Sequence, residues 1–182
     1  MLKSILLILL AITSLTTTKA LSHIEHGGMP DSVAEMEYRI LLEFEPLKHD
    51  VRNKLGNVLL RLKKFKEAKD EFLIVLAEEP NDLQAQIGLG QILMHEEKWL
   101  EAENTFLGLQ KRYSENIELS YLLGTLYKDT GKIPEAEQIF VNLLKKVQFD
   151  QGEESTHWLE KITEVLADIK KKAEVPSSNS SL

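Results

Sequence analysis

Apolar residues in the middle of this chain recur at intervals of three and four, not two. Val51, Leu55, Val58, Leu59 and Leu62 form one such row, and Phe65, Ala68, Phe72, Val75 and Leu76 form the next. These spacings place each row on one face of an α-helix. Only Lys63-Lys64 separates the rows, so the pattern predicts two helices joined by a tight turn and packed antiparallel. One pair cannot bury both rows alone and must stack on neighbouring pairs. The start of the chain reads differently. A basic head, Met1-Leu2-Lys3, leads into an unbroken apolar run from Ile5 to Ile12, a polar stretch from Thr13 to Lys19, and Ala20.

The helical pattern repeats every 34 residues without gaps. Leu55-Gly56 returns as Leu89-Gly90 and Leu123-Gly124, Glu67-Ala68 as Glu101-Ala102 and Glu135-Ala136, and Phe72 as Phe106 and Phe140. Phe65, Trp99 and Ile133 keep one position large and apolar. Asp82, Asn116 and Asp150 fall in register just before a helical row, where their side-chain oxygens can accept from free first-turn amides. A mid-helix glycine costs about 1 kcal/mol relative to alanine. Its return in register points to a close approach of paired helices near Ala68, Ala102 and Ala136, with the aromatic ring wedged into the gap.

This pattern resembles the tetratricopeptide repeat family, in which a Leu-Gly pair, a later alanine, an aromatic and a closing proline recur at this period. Pro80 supplies the proline in the first unit, and Tyr127 a further matching residue in the third. The family's early tryptophan is replaced by Arg52, Gln86 and Ser120, and its closing proline by Ser114 and Gln148 in the later units. The resemblance implies an all-α fold, a right-handed α-solenoid of antiparallel helix pairs, with three complete units at 49–82, 83–116 and 117–150.

The flanks extend the scheme. Residues 31–46 read as the second helix of a unit whose first is missing, with Ala34, Tyr38, Leu41 and Pro46 in register and Ser32 with Glu35 as a capping box. Residues 153–173 read as a C-terminal capping helix carrying Trp158, Ile162, Val165, Leu166 and Ile169, and ending in Lys170-Lys171-Lys172. Residues 21–30 and 174–182 are expected to be a disordered linker and tail. The basic head, short apolar run and Thr18-Lys19-Ala20 predict a secretory signal at 1–20, cut before Leu21, and therefore an exported protein, periplasmic or secreted. If the segment is retained, it would act as a membrane anchor.

Composition narrows the function. A hydrophobic share of 43% suffices for a core, while acids exceed bases by 29 to 22 and the net charge of −7 argues against a nucleic-acid partner. Without cysteine there is no disulfide or thiol chemistry. No phosphate loop, nucleophile elbow or metalloprotease pair is present, so no catalytic residue, metal, cofactor or small-molecule substrate is expected. His23-Ile24-Glu25-His26 is the one ligand-like cluster and reads better as tail. His95 and His157 read as surface groups.

In the family, first helices line a concave groove, and positions off the core row point into it. Here the groove set is Asn53, Asn57 and Leu60, then Ile87, Gln91 and Met94, then Tyr121 and Thr125, with Arg61, His95, Lys128 and Asp129 beside them. Leu60, Ile87, Met94 and Tyr121 would form an apolar strip. Asn53, Asn57, Gln91 and Thr125 would bond a peptide backbone. Some family members grip a partner's C-terminal carboxylate there with Lys, Asn and Arg. Asn57 matches one such asparagine, but Asn53, Glu118 and Leu122 stand where basic residues would be wanted. The expected function is a non-catalytic adaptor or assembly factor binding a protein or peptide, with a self-associating scaffold as the alternative.

Overall fold

The computed structural model describes residues 29–148 and 152–174, which form eight helices and no strand. They are α1 (Asp31–Phe44), α2 (His49–Arg61), α3 (Phe65–Glu78), α4 (Leu83–His95), α5 (Trp99–Arg112), α6 (Ile117–Asp129), α7 (Ile133–Val147) and α8 (Glu153–Glu174). The chain divides into two compact units, one ending at Pro80 and holding α1 to α3, the other starting at Asn81 and holding α4 to α8. In the first unit α2 packs on both α1 and α3; in the second each helix packs on its sequence neighbour. The periodicity thus yields the expected all-α architecture of paired helices.

The turn inside each pair is built the same way three times. Lys63, Glu97 and Gly131 take positive φ values of 59°, 58° and 80° at equivalent positions. The next residue then donates its amide back across the turn, Lys64 to the Leu59 carbonyl at 2.8 Å, Lys98 to Leu93 at 2.9 Å and Lys132 to Tyr127 at 2.8 Å. This left-handed closure satisfies carbonyls that the ending helix leaves free. The same three lysine carbonyls accept from Ala68, Ala102 and Ala136, each at 3.0 Å, and so start the second helix.

Within each pair the glycine meets the aromatic. A Cβ added at Gly56 would lie 2.5 Å from the Phe72 ring, and one at Gly124 would lie 2.8 Å from Phe140; Gly90 abuts Phe106 in the same way. All three rings, together with Ala68, Ala102 and Ala136, are fully buried. The ring itself, more than the alanine, occupies the space that the glycine leaves. Where the family's tryptophan is absent, the units differ. Arg52 bonds Glu71 at 2.6 Å and the Pro46 carbonyl, whereas Gln86 borders a hollow between α4 and α5 with Leu89, Leu93, Thr105 and Gly108.

Asp82 and Asn116 cap α4 and α6, accepting from Ala85 N at 2.7 Å and Leu119 N at 2.8 Å; Asp150 lies outside the described residues. The capping box expected at Ser32 does not form. Pro30 precedes the first turn of α1, and the Glu35 carboxylate instead accepts from Arg39 at 3.0 Å and Lys64 at 2.8 Å. Lys64 holds the Glu35 carboxyl below its ordinary pKa. Charge pairing between α1 and the α2–α3 turn takes the place of a local cap. The leader, most of the linker, the His23/His26 cluster and most of the tail, at 1–28 and 175–182, lie outside the described residues.

Two stability measurements check this account. Gly90→Leu should lower the urea midpoint clearly more than Gly152→Leu, because overpacking against Phe106 costs roughly 1–3 kcal/mol whereas Gly152 is exposed. Gly131→Ala should cost about 1 kcal/mol although its side faces open space, because only the left-handed backbone opposes the methyl group. Equal midpoints for wild type and Gly131→Ala would remove the turn from the argument.

Candidate functional site

One residue beyond each repeat glycine, the first helices carry Asn57, Gln91 and Thr125, all half-buried. The glycine faces the paired helix, so the next residue, about 100° further around, points off the pair. Each of these side chains therefore keeps a polar end near solvent at the same place in its unit. The Thr125 hydroxyl donates to the Tyr121 carbonyl at 3.0 Å.

The positions four residues earlier diverge. Asn53 is 7% exposed and Ile87 only 1%, while Tyr121 is half-buried. Three residues after the polar row, Leu60 is 8% exposed, and Met94 and Lys128 are half-buried. The expected apolar strip is therefore corrected. Leu60 and Ile87 belong to the core, and Asn53 is too buried to meet a peptide backbone. Ile87 shows the reason, since it clusters with Leu119, Leu122 and Leu123 of α6. In the second unit α4 packs against α6 as well as against its own partner α5, and that second contact consumes the flank of its apolar row. Met94 and Tyr121 remain accessible, with Asn57, Gln91 and Thr125. Arg61, His95 and Asp129 are exposed, and Arg61 bonds Asp31 at 2.7 Å.

In the second unit α8 walls one end of this face. Its Ile162, Leu166 and Ile169 are buried with Phe140 and Leu143 of α7. That packing brings Trp158 to 5.3 Å from Tyr121, whose ring meets Phe140 edge-on at 5.5 Å. The Lys161 ammonium sits over both outer rings, 5.1 Å from Trp158 and 5.9 Å from Tyr121. Burial raises the Tyr121 phenol pKa, reinforced by the negative charge of Glu164.

Beside these rings lies a residue pair that the groove assignment passed over. Gln84 and Glu118 hold the same position in successive first helices, and the Gln84 amide donates to Glu118 Oε2 at 3.3 Å. Burial pushes the Glu118 carboxyl pKa up, outweighing the opposing effects of Gln84 and Lys161, and Glu154 adds a like charge. The sequence signal was the acidic residue at a position where a carboxylate clamp would place a base; its desolvation depends on tertiary packing and could not be read from spacing.

Among the described residues no three His, Asp or Glu side chains gather as a metal site, and no helix is long and apolar enough to cross a membrane. His157 is exposed, with its ring 5.9 Å from that of Trp158.

No family model and no curated protein matches the chain. Solved structures do. The type III secretion translocator chaperone SycD of Yersinia enterocolitica is similar over 69% of this chain and 86% of its own, at 15% identity and TM-score 0.56. MamA of Desulfovibrio magneticus RS-1 is similar over 89% of this chain and 97% of its own, at 16% identity and TM-score 0.54. A tetratricopeptide repeat protein from Parabacteroides merdae matches over 88% of this chain and 66% of its own, at 20% identity and TM-score 0.52. At these identities the likeness establishes the fold, which is of the tetratricopeptide type.

The buried carboxylate sets a pH test. A carboxyl whose folded pKa is raised opposes folding when ionised, and that opposition disappears once it is protonated in both folded and unfolded chains. Glu118→Gln should therefore raise the thermal midpoint at pH 7. The gain should shrink as pH falls through the raised pKa and vanish below the ordinary glutamate value of about 4.3. A gain that persists unchanged at acid pH would mean that Glu118 is not the group responsible.

Proposed function

We propose that this tetratricopeptide-type protein is a non-catalytic interaction module that holds a segment of a partner protein against its first helices. The observation that carries the reading is the pair Gln91 and Thr125 in the second unit, whose repeat position Asn57 fills in the first. Three hydrogen-bonding side chains sit at one repeat position, half-buried beside a core that needs none of them. Such groups suit a peptide backbone, which offers a donor and an acceptor at each residue. Met94 and Tyr121 add apolar contact beside Gln91 and Thr125. A protein or peptide partner fits this face better than nucleic acid, given the net charge of −7. The reading includes no cofactor, metal or small-molecule substrate. Residues 1–20 support an exported, extracytoplasmic location.

The alternative, self-association through an end helix, has one observation in its favour. Val33, Met36, Ile40 and Phe44 run along the outer side of α1, continued by Leu47, and Phe44 is 79% exposed. Their opposite side, Ala34 and Tyr38, is buried. Contiguous apolar surface of this kind marks an interaction site more often than a solvated end.

Two measurements separate these readings, and a third tests the leader. The double variant Gln91→Ala with Met94→Ser should lose its client in a pull-down from the native compartment while keeping its helical melt, since interface anchors typically contribute about 2 kcal/mol each. Lys128→Ala should matter less, because a rim charge acts mainly on encounter rate. Retained client with an unchanged melt would move the binding surface elsewhere. Light scattering across a concentration series should show one mass; growth with concentration that Ile40→Asp abolishes would favour the scaffold. Intact mass of the protein recovered from its native host should correspond to a chain beginning at or near Leu21. A full-length mass in the membrane fraction would mean an anchor.

A further inference from the structure

We infer that the corner formed by Gln84, Glu118, Tyr121 and Trp158 receives a basic side chain, arginine or lysine, from the partner segment. This inference rests on the proposed peptide-binding face and specifies its chemistry.

The first support is an ionisable group without a counter-ion in contact. Glu118 is half-buried, and its one side-chain bond among the described residues comes from the neutral Gln84 amide at 3.3 Å. A charge-assisted bond to a carboxylate is normally 2.7–2.9 Å, so this contact is a weak substitute. Desolvated carboxylates are stabilised by a cation that brings its own donors. The fork of a guanidinium or an ammonium from outside would supply them.

The second support is the adjoining aromatic wall, which already holds a cation. The Lys161 ammonium over Trp158 and Tyr121 shows that these rings accept a positive charge at cation–π distance. An incoming side chain can lay its methylenes along the same rings and place its head on Glu118. Lys161, on a flexible stem, can turn outward.

The third support is the surrounding charge. Besides Lys161, the charged groups acting on Glu118 and Tyr121 are Glu154 and Glu164 from α8 and Asp129 from α6, all acidic. The local field therefore attracts a cation and repels the terminal carboxylate that related folds grip at this position. A matching segment carries an arginine or lysine flanked by apolar residues that meet Met94 and Tyr121.

The test uses the full chain and three fluorescein-labelled peptides with blocked ends, containing Leu-Arg-Leu, Leu-Gln-Leu or Leu-Glu-Leu in a glycine-serine frame. Binding is read by fluorescence anisotropy at physiological salt. The arginine peptide should bind at least tenfold more tightly than the glutamine peptide, and the glutamate peptide should be weakest. Glu118→Gln should reduce arginine-peptide affinity to the glutamine level while melting no lower than wild type. Glu135→Gln, the same charge change at an exposed site on α7, should leave affinity within twofold. Absence of arginine-peptide binding, indifference to Glu118→Gln, or an equal loss in Glu135→Gln would each overturn the inference. If all three peptides bind alike and only Gln91→Ala with Met94→Ser abolishes binding, the peptide-binding face stands and its cation preference falls.

Discussion

A phenylalanine ring seated on a glycine backbone is the contact from which the rest of each helix pair follows. Phe72 lies against Gly56, Phe106 against Gly90 and Phe140 against Gly124, so closely that even a methyl group on the glycine would overlap the ring. The glycine weakens its own helix by about 1 kcal/mol, but it lets the paired axes approach and a whole aromatic ring leave water, worth more than that. Once the ring is seated, the rotation of both helices is set. The alanine at 68, 102 or 136 is drawn into the interior, and the residue after the glycine is turned away from the pair. The polar residue at this position, Asn57, Gln91 or Thr125, is thus a by-product of packing before it is a candidate site.

Much of this was legible in the chain because it depends on residues within one repeat. The Leu-Gly pairs, the second-helix aromatics and the caps at Asp82 and Asn116 are local relations, and spacing records them. The misassigned groove residues fail for a complementary reason. Ile87 lies off the row that packs on α5, so periodicity within one pair leaves it outside; only the next pair, through Leu119, Leu122 and Leu123, covers it. Ser32 illustrates the same limit. Its motif satisfied the local rule, yet Glu35 pairs with Lys64, a residue 29 positions away.

The charge at Glu118 is inverted relative to a carboxylate-gripping groove. Glu118 occupies a position where such a groove would place a base, and Lys161 and Glu154 of α8 act on its charge in opposite directions. The helix read from sequence as a cap therefore has a second role. One side closes the core over Phe140, and its edge contributes an aromatic and a cation to the face beside Tyr121. Fold and site share this helix, so the chemistry at that end cannot be changed without regard to the packing behind it.

The glycine–ring contact also dictates how the gene can change in length. One codon inserted inside α4 would turn everything beyond it by about 100°, carrying Gly90 away from Phe106 or the polar row into the core. Insertions and deletions are confined to the links between helices, or must arrive as whole multiples of the 34-residue period. A lineage carrying this chain should therefore vary by gaining or losing entire repeats, with reading-frame-preserving indels rare inside the helices themselves.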